Sequence, residues 1–211
     1  MSRYGLIVNV DKCIGCMACF VACKEENKVA PGIQWNQIHR NENAKAQIIN
    51  YYRVSCMHCD KPACLPVCPP KAIHRGANGE ILVDQSKCIG CKMCLAACPY
   101  GVPKFNDTGR TNYFDAQPLA EAPKLPHQIR PVGRAERCTL CTHRTKEGRL
   151  PKCVEVCPPK ALVFVDWDQL NDEQKVLAEK AVALNSSAGT EPKVRYVSTW
   201  CNISELKDKM A

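Results

Sequence analysis

Cysteine dominates the chemistry open to this chain. Seventeen of its 211 residues are cysteine, and sixteen of these fall into four runs. The first run is Cys13, Cys16, Cys19 and Cys23, and the third, Cys88, Cys91, Cys94 and Cys98, repeats its x2, x2, x3 spacing. The second, Cys56, Cys59, Cys64 and Cys68, is spaced x2, x4, x3; the fourth, Cys138, Cys141, Cys153 and Cys157, is spaced x2, x11, x3. Thiols so placed serve as disulfide partners, zinc ligands or iron ligands. Disulfides fit badly, because cysteines so close in sequence make poor structural bridges and residues 1–10 read as too short an apolar run for a secretory signal. Zinc accepts paired C-x2-C knuckles, but its sites rarely run four cysteines in succession and commonly recruit histidine.

Iron–sulfur chemistry fits the spacing. C-x2-C-x2-C-x3-C-P is the bacterial ferredoxin signature, in which three cysteines wrap one cubane and the last ligates another. The trailing proline is present in Cys68-Pro69, Cys98-Pro99 and Cys157-Pro158, whereas Cys23 is followed by Lys24. Gly15 and Gly90 stand in the two Cys-Ile-Gly-Cys loops, where the tight turn calls for backbone angles that other residues resist. In every run the fourth cysteine lies four residues after the third, so on a helix both sulfurs share one face and can serve two neighbouring cubanes. The spacing therefore predicts paired clusters. Sixteen ligands at four per cubane give four [4Fe–4S] clusters, and no C-x-x-C-H motif for haem occurs, since Cys141 is followed by Thr142-His143.

The composition agrees. The formal charge is +8, with basic residues scattered singly rather than in runs. Four oxidised cubanes with their thiolates carry about −8, which makes the excess an internal counter-charge rather than a nucleic-acid footprint. Lys12, Lys87 and Arg137 each directly precede the first cysteine of a run, where a cation would stabilise a reduced cluster; the plainer reading, and the one expected, is that they are solvated. Aromatic residues make up only 6% of the chain, so something besides large side chains must help to hold the core.

The elements that must position these cysteines are short. Strands are expected over residues 4–11, 72–75, 80–84, 161–166 and 192–198, the second and third joined by the turn Gly76-Ala77-Asn78-Gly79. One longer helix is expected over 171–184, opened by Asn171 or Asp172 and closed near Asn185-Ser186-Ser187. Residues 27–50 and 106–136 fit no repeat, and the latter, with Pro118, Pro123, Pro126 and Pro131, reads as an irregular interface segment or a loop over the protein's own core. No apolar stretch approaches the roughly 20 residues of a membrane span.

The order and spacing of the runs, with Cys98-Pro99-Tyr100-Gly101, Arg137-Cys138-Thr139-Leu140-Cys141 and Pro192-Lys193-Val194-Arg195-Tyr196, resemble the four-cluster iron–sulfur subunit of dimethyl sulfoxide reductase-type molybdopterin oxidoreductases over nearly the whole chain. The resemblance implies an α+β fold of two nested ferredoxin-like modules with a C-terminal helix. One module is formed by residues 1–50 and 134–211, the other by 51–105, with 106–133 as the connecting segment. It also implies which runs pair. Cys13, Cys16, Cys19 and Cys157 hold cluster 1, and Cys23, Cys138, Cys141 and Cys153 hold cluster 2. Cys56, Cys59, Cys64 and Cys98 hold cluster 3, and Cys68, Cys88, Cys91 and Cys94 hold cluster 4. The third run keeps all four cysteines, where some relatives carry tryptophan and a three-iron cluster.

By the same resemblance the chain is a non-catalytic electron wire. It relays electrons between a bis-MGD molybdopterin catalytic subunit, nearer the first module, and a quinol-interacting membrane-anchor subunit or other redox partner. A periplasmic location, by co-export with a twin-arginine partner, is the expectation, with the cytoplasm as alternative. Two other functions compete: a free-standing polyferredoxin, and a structural multi-zinc module. No nucleophile–base pair, phosphate loop or substrate pocket appears. Cys201, outside the four runs, is expected as a small buried hydrophobe, and His58 as a turn residue near the surface. Trp35, Trp167 and Trp200 are expected in core or interface packing.

Overall fold

Leu6, Ile7 and Val8 form the most apolar stretch near the start of the chain, and burial of each contributes about 1.5–3 kcal/mol. In a computed structural model that describes residues 2–44, 47–107, 125–204 and 206, all three are fully buried in a central strand. The element order begins β1 (Tyr4–Asn9), α1 (Ala18–Asn27), β2 (Asn36–Asn43), β3 (Ile48–Ser55), β4 (Ile73–Arg75), β5 (Ile81–Val83) and α2 (Met93–Ala97). It continues β6 (Lys104–Asn106), β7 (Arg134–Glu136), α3 (Thr142–Thr145), α4 (Lys152–Glu155), β8 (Leu162–Asp166), α5 (Asp172–Lys180) and β9 (Val194–Val197).

Strand β1 lies between β8, antiparallel with Tyr4 opposite Asp166, and β9, parallel with Leu6 beside Val194. Three two-stranded hairpins, β2–β3, β4–β5 and β6–β7, complete the pairing among the described residues. The expected strands over 4–11, 72–75, 80–84, 161–166 and 192–198 are all present, trimmed by one to three residues at their ends. One core runs from Leu6, Val8 and Leu162 through Cys138, Cys153 and Cys157 to Cys56, Cys59 and Tyr100, so the two expected modules share it.

Four expectations are corrected. Residues 27–50 hold β2 and the start of β3, eight residues each and paired from Asn36–Ser55 to Asn43–Ile48. Strand β2 reads Asn-Gln-Ile-His-Arg-Asn-Glu-Asn, with one apolar residue and no alternation to betray it. The irregular segment is closed at its base by β6–β7; the rest of it includes 108–124, which lie outside the described residues. Helix α5 stops at Lys180, because Val182 leaves it to exchange backbone bonds with Tyr196 at 2.9 and 2.8 Å. Its opening is the expected one: Asn171 accepts from the Gln174 amide at 2.9 Å, and the Gln174 side chain accepts from the Asn171 amide at 3.0 Å. Between Cys64 and Cys68 the chain makes turns, closed by Leu65 N to Pro62 O at 3.1 Å and Cys68 N to Leu65 O at 3.3 Å, instead of a helix.

An ionic knot ties the sheet to the second run. The Asp60 carboxylate meets Arg3, Arg75 Nη1 at 3.7 Å and the buried Lys193 Nζ at 3.5 Å, and Lys193 also donates to the Gly79 carbonyl. Burial raises the Asp60 pKa, but the Arg3 and Lys193 bonds outweigh it and hold the carboxyl below its ordinary range. A depressed carboxyl stabilises the fold above its unfolded value, near pH 4, and loses that contribution as pH falls through the folded one. Asp60→Asn is expected to lower the urea unfolding midpoint at pH 7 by the equivalent of about 1–3 kcal/mol, with the gap to wild type narrowing below about pH 4. Tryptophan fluorescence on urea series at the two pH values measures both; an unchanged gap contradicts the ionic role.

Candidate iron–sulfur sites

The sixteen run cysteines gather in four sets of four. Cys13, Cys16, Cys19 and Cys157 line one cavity, together with Gly15 and Arg53. Cys56, Cys59, Cys64 and Cys98 line a second, with Tyr100 and Arg137. Cys68, Cys88, Cys91 and Cys94 line a third, with Lys92 and Ala135. Burial pushes the Cys23 thiol up, and the charges acting on it next are those of Cys138, Cys153 and Cys141, which form the remaining set with it.

Short elements make this exchange. Helix α1 carries Cys19 toward one set and Cys23, one turn on, toward its neighbour. Helix α4 carries Cys153, and Cys157 follows it; α2 carries Cys94 and is capped by Cys98; turns divide Cys64 from Cys68 in the same way. The sets adjoin in series. Cys153 feels the charge of Cys19, Cys56 that of Cys138, and Cys94 that of Cys64. Of the sixteen cysteines only Cys16 and Cys91 are exposed, one in each terminal set, and beside them Ile14 and Ile89 are each 63% exposed.

The two Cys-Ile-Gly-Cys loops owe their shape to Gly15 at φ 69° and Gly90 at φ 75°, each followed two residues later by another left-handed residue, Met17 and Lys92. A Cβ on Gly90 would lie 2.3 Å from the Gly133 carbonyl oxygen. Gly90→Ala is therefore expected to open this loop and to cost the set around Cys91 its metal, about a quarter of the iron, read by iron analysis. Retention of the wild-type iron content would show that the loop tolerates the methyl group.

The donor sets suit a polyatomic iron–sulfur core better than a single ion. A tetrahedral zinc at about 2.3 Å from each sulfur needs the sulfurs about 3.8 Å apart. Among the described residues the one group of three ligand atoms within 4.8 Å of one another belongs to Glu26, His127 and His143, so no three sulfurs crowd about one point. Burial raises the Cys59 thiol to about 11, Cys153 to about 11 and Cys141 to about 12, which leaves them protonated at neutral pH until a metal claims the thiolates. Backbone amides already aim at sulfur: Leu140 N to Cys138 Sγ at 3.4 Å, Ala161 N to Cys157 Sγ at 3.3 Å and Ala135 N to Cys88 Sγ at 3.5 Å. Such bonds help to set cluster potentials.

The group of Glu26, His127 and His143 is better suited to holding elements together. The two imidazoles stack at 3.6 Å and 9°, so their nitrogen lone pairs lie in parallel planes that one ion cannot share. Glu26 already has cationic and hydrogen-bonding partners, Arg144 Nη1 at 3.3 Å and His143 Nε2 at 2.8 Å, and its backbone carbonyl accepts from Gln128 Nε2 at 3.0 Å.

Lys12 and Lys87 are exposed, as expected, but Arg137 is 3% exposed and donates from Nη1 to Cys64 Sγ at 3.0 Å, which corrects its reading as a solvated cation. His58 is a turn residue at φ 46° yet wholly buried, with Nδ1 accepting from Ile81 N at 3.0 Å; burial drives its pKa well down, and the expected surface position is corrected. Cys201 is half-buried against the core. Trp35 is buried and donates to Glu136 at 2.7 Å, Trp167 is partly buried and donates to the Lys193 carbonyl at 2.9 Å, and Trp200 is 58% exposed. Sequence reasoning missed Arg53. Its signal was a lone arginine in the strand-like stretch leading into Cys56.

Comparison with known proteins reaches the same chemistry. Models of a 4Fe-4S dicluster domain match residues 47–113 and 87–162, and a 4Fe-4S binding domain matches residues 10–26. The protein is 34% identical to the arsenate respiratory reductase iron–sulfur subunit ArrB of Shewanella sp. (strain ANA-3), over 94% of its own length and 97% of that relative. It is 33% identical to a chain of the anaerobic dimethyl sulfoxide reductase of Escherichia coli (strain K12), over 85% and 82%. It is 32% identical to the menaquinone reductase iron–sulfur cluster-binding subunit of Nitratidesulfovibrio vulgaris (strain Hildenborough), over 93% and 89%. These matches define a ferredoxin-like 4Fe–4S protein of mixed helix and strand. The chain belongs to the family of iron–sulfur electron-transfer subunits of dimethyl sulfoxide reductase-type oxidoreductases, and [4Fe–4S] clusters are its cofactors.

Proposed function

We propose that the chain holds four [4Fe–4S] clusters in a row and relays electrons between a molybdopterin catalytic subunit of the bis-MGD type and a quinol-linked or other redox partner, without catalysing a reaction itself. The ligands are Cys13, Cys16, Cys19 and Cys157 for cluster 1, and Cys23, Cys138, Cys141 and Cys153 for cluster 2. Cluster 3 takes Cys56, Cys59, Cys64 and Cys98, and cluster 4 takes Cys68, Cys88, Cys91 and Cys94. The observation that carries the reading is the serial arrangement of the four cysteine sets, with exposed thiols only at Cys16 and Cys91. When bound, the clusters supply one-electron carriers. The protein fixes their order, buries all four thiols of the second set and three of the four in the third, and exposes one ligand thiol at each end.

On this reading clusters 1 and 2 belong to a module of residues 1–50 and 134–211, and clusters 3 and 4 to a module of 51–105. The pairing of β1 with β8 and β9 and the packing of α1 on α4 support joining the two ends of the chain in the first module, while the β2–β3 and β6–β7 hairpins tie it to the second. The first module faces the catalytic subunit. The quinol link draws support from the menaquinone reductase subunit that the chain resembles. Among the described residues no helix is long and apolar enough to cross a membrane, and the membrane anchor is proposed to be a separate subunit. The complex is proposed to work at the periplasmic face.

Anoxic purification of the tagged chain from its native host tests the assignment. A co-purifying large subunit with molybdenum and pterin, whose reductant or oxidant changes the redox state of the clusters, is the expected result. A stable monomer without molybdenum, active with diffusible redox proteins, would favour a free-standing polyferredoxin and contradict the proposal.

A further inference from the structure

Each expected module contains a buried arginine that its own cysteine run does not supply. Arg53 lies on β3 three residues before Cys56, a ligand of the proposed cluster 3, yet it lines the cavity of Cys13, Cys16, Cys19 and Cys157. Arg137 directly precedes Cys138, a ligand of the proposed cluster 2, yet it lines the cavity of Cys56, Cys59, Cys64 and Cys98. Each guanidinium thus lies against a cysteine set other than the one whose ligand next follows it in the chain.

Their surroundings are alike. Arg53 is 1% exposed and Arg137 3%. Among the described residues none of the three Arg53 nitrogens has a hydrogen-bond partner, nor do Nε and Nη2 of Arg137, while Nη1 of Arg137 donates to Cys64 Sγ at 3.0 Å. Burial opposes the Arg53 charge, but Cys153, Cys138, Cys19 and Cys23 outweigh it, and these belong to two adjoining sets. For Arg137 the opposing charges are those of Cys56, Cys64 and Cys94, again from two adjoining sets. A buried cation without a protein acceptor is costly unless an anion faces it, and among the described residues no carboxylate bonds to either arginine.

We propose that Arg53 and Arg137 are fixed counter-cations at the two gaps within the modules, Arg53 between clusters 1 and 2 and Arg137 between clusters 3 and 4, and that each raises the reduction potentials of the pair it adjoins. The inference rests on the four-cluster reading above. Reduction of a cubane adds one electron from the preceding carrier and no proton, and takes its net charge with four thiolates from about −2 to about −3. A guanidinium held in the dry gap favours the more negative form, with little screening by solvent. Arginine suits the position because it stays protonated and offers five donors toward sulfur. Both arginines are positioning residues, not ligands.

EPR-monitored redox titration of the complete chain, purified anoxically, tests this. Arg53→Gln is expected to disfavour reduction of clusters 1 and 2 by about tenfold or more, a fall of about 59 mV for a one-electron couple, and to leave clusters 3 and 4 in place. Arg137→Gln should do the reverse, and Arg53→Lys and Arg137→Lys should restore most of the potential. Lys12→Gln and Lys87→Gln, at exposed positions, should move nothing. Glutamine variants with full iron and unshifted potentials would overturn the inference, as would equal shifts in the lysine and glutamine variants. If a glutamine variant loses its cluster pair, the lysine variant decides: iron retained supports the charge role, and iron lost in both overturns it in favour of guanidinium packing. Wild-type chain that binds no iron would instead defeat the four-cluster reading.

Discussion

Substitution of Cys153 by serine is expected to cut the electron path in the middle while most of the iron stays in place. Cys153 is 5% exposed, at the junction of two sets, and the charges of Arg53, Cys138 and Cys19 reach it directly. Losing this ligand should lower the iron content from about sixteen to about twelve per chain. The remaining sets keep their own four thiols, so the outer clusters assemble, but the row has a gap at its second position. Electrons supplied at the Cys91 end should then reduce clusters 3 and 4 at the normal rate and reach cluster 1 in a separate, much slower phase. Rapid-mixing spectroscopy on the complex reads the two phases separately. Undiminished arrival at cluster 1 would mean that the path does not pass through this set.

Removing the clusters should have a still broader effect, because they stand in for much of the core. The smaller buried cluster consists of Cys64, Cys88 and Cys94 with Ala72, Ile73, Ile81 and Ala135, and has no aromatic residue. The main one places Cys19, Cys56, Cys59, Cys138, Cys153 and Cys157 among its buried members. Without clusters the thiols around Arg53 and Arg137 revert to the neutral form that burial favours, and two guanidinium groups are left in the interior without anions. An uncompensated buried charge costs about 3–5 kcal/mol, and two are comparable with the whole stability of a typical domain, about 5–15 kcal/mol. The metal-free chain, prepared by oxidation and chelation, is expected to lose its cooperative thermal transition and its resistance to proteolysis, and to regain both on anaerobic reconstitution with iron and sulfide. A metal-free chain that melts cooperatively within a few degrees of the holoprotein would show that packing alone carries the fold. The dependence has the same physical basis as other metal sites whose binding energy is folding energy.

Much of this was legible in the sequence because ligand spacing is a local constraint. Three cysteines within seven residues can surround one core, and a fourth one helical turn on points elsewhere; that sufficed to expect paired sets from the residues alone. Strands β1 and β8 were equally plain, since Leu6, Ile7 and Val8 and then Leu162, Val163 and Val165 are apolar runs of strand length. Strand β2 was hidden because its eight residues are largely polar and its stability comes from pairing with β3. The burial of Arg53 and His58 was hidden for a different reason. Their burial depends on residues far away in the chain: Cys153 and Cys138 face the arginine, and Ile81 meets the histidine. Arginine next to cysteine reads as surface until the second run that encloses it is placed. The Cys64–Cys68 turn shows the limit of periodicity: Pro66, inside the segment, has no amide to give the Pro62 carbonyl and so breaks a helix there, yet the four-residue interval still divides its sulfurs between two sets.

Iron and acid-labile sulfide analysis of the anoxically purified chain, with EPR before and after dithionite, tests the central claim most directly. Four cubanes in a row predict about sixteen iron and about sixteen sulfide per chain, and reduced spectra broadened by spin coupling between neighbours. Zinc without sulfide, and no EPR signal on reduction, would contradict the electron relay and leave a structural metal module in its place.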